Sequence, residues 1–154
     1  FCTGYYGAAA PYVLEYLDML HDRQLEISSN PKNPLKIFDP PDKPPYNDPE
    51  FIKKGDELWA KALAAVKSDR VRTDHVKAGV FSHNYARFES VRLKNLGKDL
   101  KDKPESLAQL RKLLKIWDEL PRRTVLNEWY HKQLLEEWRR IDEGRPLPPQ
   151  KKNK

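Results

Sequence analysis

Proline and glycine divide this chain into segments that suit helices and exclude long strands. Most of the thirteen prolines and several of the six glycines separate long stretches in which apolar residues recur every three or four positions. That spacing places an apolar stripe on one face of each helix. Segments that alternate between apolar and polar residues, which are typical of half-buried strands, are almost missing. The sequence therefore predicts an all-α fold of about five helices, mostly antiparallel because most connections are short.

Residues typical of helix starts and stops mark the ends of these stretches. Asp48 followed by Pro49 favours a start, because aspartate caps the first turn and proline lacks only an N–H that this turn does not use. Gly97 and Gly144 favour stops, since glycine adopts the left-handed conformation that ends many helices. The predicted helices run from Pro11 to about Ile27, from Asp48 to about Val66, from Ser68 to about Gly97, from Lys103 to Pro121, and from about Arg123 to Glu143.

Apolar residues on these helices predict the core. The third helix is expected to bury one stripe of valine, alanine and aromatic residues, which are Val71, Ala78, Phe81, Tyr85 and Phe88. Each tryptophan falls on the apolar stripe of its helix, so a core position is the favoured interpretation for Trp59, Trp117, Trp129 and Trp138. Trp129 is also kept as a candidate contact with a sugar or with a neighbouring domain.

A Pro-rich segment over residues 28–48 interrupts the helical pattern. Its prolines fit neither a helix interior nor a central strand. Leu35, Ile37 and Phe38 lie among them, which favours an extended loop strapped across the helices over a free linker. A loop of this length is unusual in a compact domain and can be functional. The predicted organisation is a helical domain over residues 1–144 that contains this loop, followed by a basic, disordered tail over residues 145–154.

The positive net charge of the chain is compatible with an anionic partner but does not identify one. The formal net charge is +6 and the pI is near 9.3, yet bases and acids alternate along the helices. Part of the excess lies in the tail, which could touch anionic surfaces weakly. No nucleic-acid-binding motif accompanies the charge, so no specific nucleic-acid partner is predicted. No apolar run approaches the ~20 residues that a membrane span needs.

No residue pattern in the chain predicts catalysis, a cofactor or a metal site. Three acidic pairs, Glu15/Asp18, Asp56/Glu57 and Glu136/Glu137, could resemble glycosidase carboxylates, but lysine or arginine lies near each and solvated helix faces explain them. The four histidines lack the spacing of metal ligands, although two of them, His75 and His83, could share a helix face. The single Cys2 has neither a disulfide partner nor an identifiable activating base.

The first residues are the most distinctive part of the sequence. An uncapped aromatic stretch begins at Phe1, and Gly4 and Gly7 flank Tyr5 and Tyr6. Glycine allows a bend or a close approach of the backbone there, so the two tyrosines can point in different directions. In one interpretation both tyrosines only anchor the first helix. In the other, these four residues form a domain interface or contact a sugar, and the chain is part of a longer protein.

A family resemblance is carried by the run Gly4-Tyr5-Tyr6-Gly7-Ala8-Ala9-Ala10-Pro11-Tyr12, followed by Glu15-Tyr16-Leu17-Asp18-Met19-Leu20-His21. This run resembles a region of large DUF4838-type bacterial proteins, which look like secreted or cell-envelope glycoside hydrolases common among gut Bacteroidetes. In that family a (β/α)8 catalytic barrel, similar to that of hexosaminidase and glucuronidase relatives, precedes a helical region, and the Tyr-Tyr-Gly segment opens that region.

The resemblance implies a place for this chain within a larger protein. It would be the C-terminal helical part, with the catalytic carboxylates before Phe1 and none of them within the chain. The expected function is then a non-catalytic module that buttresses the barrel of the same protein, with carbohydrate as a further partner. Two other functions stay open. One is a free-standing protein-interaction domain that uses an apolar groove or the Pro-rich segment, and the other is a basic nucleic-acid-binding domain.

Overall fold

The computed structural model describes residues 1–29, 45–46, 48–94, 104–120 and 128–145. Within these ranges the chain forms helices joined by turns, and no strand occurs. The prediction of an all-α fold is therefore confirmed. The helices are α1 (Cys2–Tyr6), a 3-10 turn (Gly7–Ala9), α2 (Ala10–Ser28), α3 (Pro49–Ala65), α4 (Arg70–Lys94), α5 (Pro104–Glu119) and α6 (Glu128–Asp142).

The five predicted helices correspond to α2 through α6, while α1 and the 3-10 turn were not expected. The chain divides into two compact units, Phe1–Lys94 and Asn95–Lys154. The single domain predicted over residues 1–144 stays a prediction. Most of the Pro-rich loop over residues 28–48, and the tail beyond residue 145, lie outside the described residues, as does the predicted stop at Gly97.

Aspartate side chains cap the first turns of α3 and α4, and the cap of α3 is the one that the sequence predicts. The Asp48 carboxylate accepts the backbone N–H of Glu50 at 2.9 Å, and Pro49 occupies the first turn of α3. The Asp69 carboxylate accepts the backbone N–H of Arg72 at 3.0 Å at the start of α4. Each carboxylate satisfies an N–H group that has no partner within its helix, which contributes roughly 0.5–2 kcal/mol at a typical N-cap.

Ion pairs show that α2 and α3 run antiparallel. Arg23, late in α2, lies 2.8 Å from the carboxylate of Asp48 at the start of α3. Glu15, earlier in α2, pairs with Lys54, further along α3, at 2.9 Å. Moving forward along one helix therefore means moving backward along the other. Tyr16 and Trp59 pack between the two helices, with their ring centroids 4.9 Å apart.

A glycine lets α3 and α4 approach each other closely. A Cβ atom on Gly79 of α4 would lie 2.3 Å from the ring of Trp59, so the indole occupies the space that a side chain would need. Near the turn between these helices, the Thr73 hydroxyl donates to the backbone carbonyl of Val66 at 2.7 Å. Trp59 is 5% exposed, which confirms its predicted place in the core.

The buried face of α4 differs from the predicted stripe. Val71 is 64% exposed, whereas Val76 and Val80 are buried. The buried face also includes two polar residues, His83 and Asn84. Phe88, at 1% exposed, is buried as predicted. The prediction was wrong for Val71, which lies about 140° around a regular helix from the buried Val76 and so falls outside the buried face.

The second unit contains the helix pair α5 and α6. Arg111 and Asp118 of α5 pair with Asp142 and Arg139 of α6, at 2.6 and 2.7 Å. Among the described side chains of this unit, the buried ones are Ser106, Leu110, Leu113, Leu114, Leu120, Leu135 and Trp138. The predicted core position of Trp138 is confirmed, Trp117 is only partly buried, and the side chain of Trp129 lies outside the described residues.

Gly144 ends α6 as predicted. Its φ angle of 67° is left-handed, and the N–H of the following Arg145 donates to the carbonyl of Arg140 at 2.8 Å. This arrangement satisfies a carbonyl of the last turn that would otherwise lack a partner.

Candidate functional site

Two side-chain clusters in the first unit can be described as candidate sites. One is the N-terminal aromatic stack, defined here as Phe1, Tyr5 and His75. The Tyr5 ring lies between the other two, with its centroid 5.2 Å from that of Phe1 and 3.7 Å from that of His75. The three rings are nearly parallel, with interplanar angles of 17° and 7°. Both faces of Tyr5 are thus covered, while Phe1 is 94% exposed.

Hydrogen bonds hold the stack in this orientation. Nδ1–H of His75 donates to the backbone carbonyl of Tyr5 at 2.8 Å, because a carbonyl oxygen can only accept. The backbone N–H of Tyr5 donates to the carbonyl of Phe1 at 3.0 Å. The Tyr6 ring meets the edge of Tyr5 with centroids 4.9 Å apart, and burial raises the pKa of the Tyr6 hydroxyl.

The two predicted glycines of this segment behave differently. Gly7 has a φ of 56°, a left-handed value that disfavours other residues. A Cβ atom there would lie 2.4 Å from the side chain of Arg72, which packs over the glycine. A Cβ atom on Gly4 would meet nothing within 4 Å, so no close approach requires a glycine there. The structure therefore brings Tyr5 and Gly7 against α4, and Tyr6 packs on the Tyr5 ring.

The second cluster is a buried polar chain, defined as Tyr16, His83, Asp56 and Arg87, which links α2, α3 and α4. The Tyr16 hydroxyl lies 3.1 Å from Nδ1 of His83, and Nε2 of His83 lies 3.2 Å from Asp56. Arg87 donates to the other carboxylate oxygen of Asp56 at 3.0 Å. His83 is 3% exposed.

Chemistry fixes the direction of each hydrogen bond in the polar chain. The carboxylate of Asp56 can only accept, so Nε2 of His83 carries the proton and donates. In the neutral imidazole, Nδ1 then carries a lone pair and accepts the O–H of Tyr16. Burial raises the pKa of Tyr16 well above its usual value. A Cβ atom on Gly55 would lie 2.6 Å from the His83 ring, so this glycine leaves room for the imidazole.

The polar chain suits a structural role better than a catalytic one. Tyr16 is 6% exposed and the His83 side chain is 2% exposed, so a substrate would not reach either group. Asp56 and Arg87 are the more open members, with side chains 38% and 30% exposed, but each is engaged with the other. The buried polar chain provides hydrogen-bond partners for polar groups between three helices, where a buried group without a partner would cost about 1–3 kcal/mol.

Sequence patterns pointed to only part of this cluster. Tyr16 appeared only within the family resemblance, Asp56 was paired with Glu57, and His83 was paired with His75. The hydrogen bonds in the structure instead join Tyr16, His83 and Asp56, which lie on three different helices. A polar residue within the buried face of α4 was the one signal that could have pointed to it.

The acidic pairs do not show the electrostatics of glycosidase carboxylates. Glu15 pairs with Lys54, and Arg140 donates to Glu136 at 2.8 Å. That hydrogen bond lowers the pKa of Glu136, whereas a general acid needs a raised pKa. Among the described residues, no group of three His, Cys, Asp or Glu side chains is placed to hold a metal ion.

Comparisons with known proteins do not assign the chain to a family. No family model, no curated protein and no solved structure matches it. In the described part of the chain, no helix has both the length and the apolar character to cross a membrane.

Proposed function

We propose that this chain is a non-catalytic helical module of a glycoside hydrolase-like protein, where it supports a catalytic barrel. The proposal combines the family resemblance of the residues up to His21 with one structural observation. Within that same segment, α2 turns leucine side chains outward: Leu14 is 42% and Leu17 is 43% exposed. Placement outside the cytoplasm, as a secreted or cell-envelope protein, follows from the resemblance and is part of the proposal.

The outward leucines form a face that a neighbouring domain can cover. Leu14, Leu17 and Leu25 fall within an arc of about 80° on a regular helix, and Leu25 is 54% exposed. Val13 and Tyr16 lie outside this arc of α2 and are buried. Burial of exposed leucines is favourable by about 25 cal/mol per Å² of apolar surface, which supports a protein contact at this face.

Thermal unfolding of the protein encoded by the whole gene tests the proposal. The change Leu17→Lys places a charge in the leucine face, so we expect a lower Tm for the barrel transition. The isolated chain should change little, because Leu17 is already 43% exposed in it. Ala64→Lys, which adds the same charge at an exposed position of α3, is the matched control. An unchanged barrel transition in the Leu17→Lys protein would contradict the proposal.

The leucine face also favours a second candidate function. A free-standing interaction domain would use the same exposed side chains for another protein. A gene that encodes no barrel before Phe1 would favour this candidate.

Under the first proposal, the purified chain should hydrolyse no aryl glycoside, and measurable turnover would contradict its non-catalytic part.

A further inference from the structure

Two exposed acidic side chains lie beside the leucine face of α2, which consists of Leu14, Leu17 and Leu25. On a regular helix, Asp18 and Asp22 lie about 20° and 60° beyond the arc of the leucines, both on the same side. They are about one turn apart, and both are exposed. One edge of the leucine face therefore carries negative charge.

The opposite edge of the leucine face carries no such charge. Gln24 lies about 20° beyond Leu17 on that side, and its amide is neutral. His21 falls within the arc of the leucines, and its Nδ1 lies 3.7 Å from the carboxylate of Asp22. An occupant of this face thus meets leucines at the centre and carboxylates at one edge only.

Other acids of α2 already have basic partners within the chain. Glu15 pairs with Lys54 of α3 at 2.9 Å, and Glu26 pairs with Arg23 at 2.5 Å. Within the part of the chain that the structure describes, no lysine or arginine pairs with either acid at the edge of the leucine face. Cations of a partner can therefore form ion pairs at this edge without displacing a pair that already exists.

A second copy of α2 fits the leucine face poorly. When two antiparallel helices pack about a two-fold axis, each edge of one helix meets the same edge of the other. Asp18 and Asp22 would then lie against the same two acids of the second copy, and like charges at such a contact are unfavourable. The charge of this edge favours a partner that carries cations there instead.

We propose that the leucine face docks an amphipathic helix whose apolar stripe is edged on one side by two lysine or arginine residues one turn apart. Residues four apart lie on one side of a helix, so two such cations can meet Asp18 and Asp22 together. The leucines pack into the apolar stripe of that helix, and the ion pairs fix its register. This inference rests on the proposed function, under which the helix belongs to the outer surface of the barrel.

Two synthetic helical peptides of about 20 residues test this kind of partner. Both carry leucines at helical spacing, and they differ only at two positions one turn apart at one edge of the stripe, which hold lysine in one peptide and glutamate in the other. We expect calorimetry at low salt to show that the lysine peptide binds this chain about tenfold more tightly, because two ion pairs form and two like-charge contacts are avoided. The net charge of +6 alone would favour the glutamate peptide.

Charge reversal in the chain separates the effect of this edge from that of the overall charge. Asp18→Lys/Asp22→Lys should reverse the preference, so that the glutamate peptide binds more tightly. Glu50→Lys/Glu57→Lys, which changes the net charge equally at exposed positions of α3, is the matched control and should keep the preference of the unmodified chain. Leu17→Lys should weaken the binding of both peptides.

No binding of either peptide, equal binding of both, or a preference that survives Asp18→Lys/Asp22→Lys would overturn this inference. Sedimentation of the isolated chain should show a monomer. A dimer that Leu17→Lys dissociates would instead assign the face to a second copy. A barrel surface without cations would still lower the Tm of the barrel transition in the Leu17→Lys protein while neither peptide is preferred, so the two proposals fail separately.

Discussion

At the scale of single residues, the two histidines of α4 show how partners decide the position of a proton. His75 faces a backbone carbonyl through Nδ1, while His83 faces a carboxylate through Nε2. Each partner can only accept a hydrogen bond, so each selects the nitrogen that carries the proton. The same residue type, eight positions apart on one helix, therefore has opposite tautomers.

Nitrogen-15 NMR at pH 8 checks this assignment. We expect the neutral ring of His75 to carry its proton on Nδ1 and that of His83 to carry it on Nε2. Tyr16→Phe removes the O–H that His83 accepts and should shift only the His83 signals. Identical tautomers in the two rings would contradict these hydrogen bonds.

The buried hydroxyl of Tyr16 predicts a loss of stability in alkali. Burial raises its pKa in the folded chain, whereas the unfolded chain has a pKa of about 10. The unfolded state therefore loses the proton first, and the contribution of Tyr16 is complete below about pH 10 and falls as the pH rises.

Urea unfolding of Tyr16→Phe at pH 7 and pH 10.5 measures this contribution. At pH 7 the free energy of unfolding of the variant should be about 1–3 kcal/mol lower than that of the unmodified chain, because Nδ1 of His83 is left without its donor. At pH 10.5 this difference in the free energy of unfolding should be smaller. Tyr12→Phe on the same helix is the control and should keep the pH dependence of the unmodified chain. A gap that stays constant with pH would argue against a buried, protonated Tyr16.

At the scale of elements, helix ends could be predicted from the sequence and one helix face could not. The cap at Asp48 and the stop at Gly144 depend on neighbouring residues only, so local sequence specifies them. The buried face of α4 depends on partners from other helices. His83 is buried because Tyr16 and Asp56 meet it, and neither is near it in sequence. Periodicity of apolar residues carries no information about such partners.

The cap of α3 gives an element-scale prediction. Asp48→Ala should lower the free energy of unfolding by about 1 kcal/mol, since the first turn loses its acceptor. Asp48→Asn keeps a capping oxygen but loses the charge that pairs with Arg23. If the cap dominates, chemical denaturation should place Asp48→Asn close to the unmodified chain. Equal losses in both variants would assign the effect to the ion pair instead.

At the scale of the whole molecule, the chain divides into two compact units. The first unit contains the aromatic stack, the buried polar chain and the leucine face of α2. The sequence singled out Tyr5 and Gly7, which the fold places against α4, and Tyr6, which packs on Tyr5, but it did not predict the stack with His75. That contact joins residues 70 positions apart, so it is a property of the fold and not of local sequence.

Amide hydrogen exchange measured on the protein encoded by the whole gene, and on this chain alone, tests the module proposal most directly. We predict that exchange in α2, over residues 10–28, is slower in the whole protein, because a barrel covers the leucine face and opposes local opening. Exchange in α3, which carries the control position Ala64, should change less. Equal exchange rates for α2 in the two proteins would contradict the proposal that this chain supports a catalytic barrel.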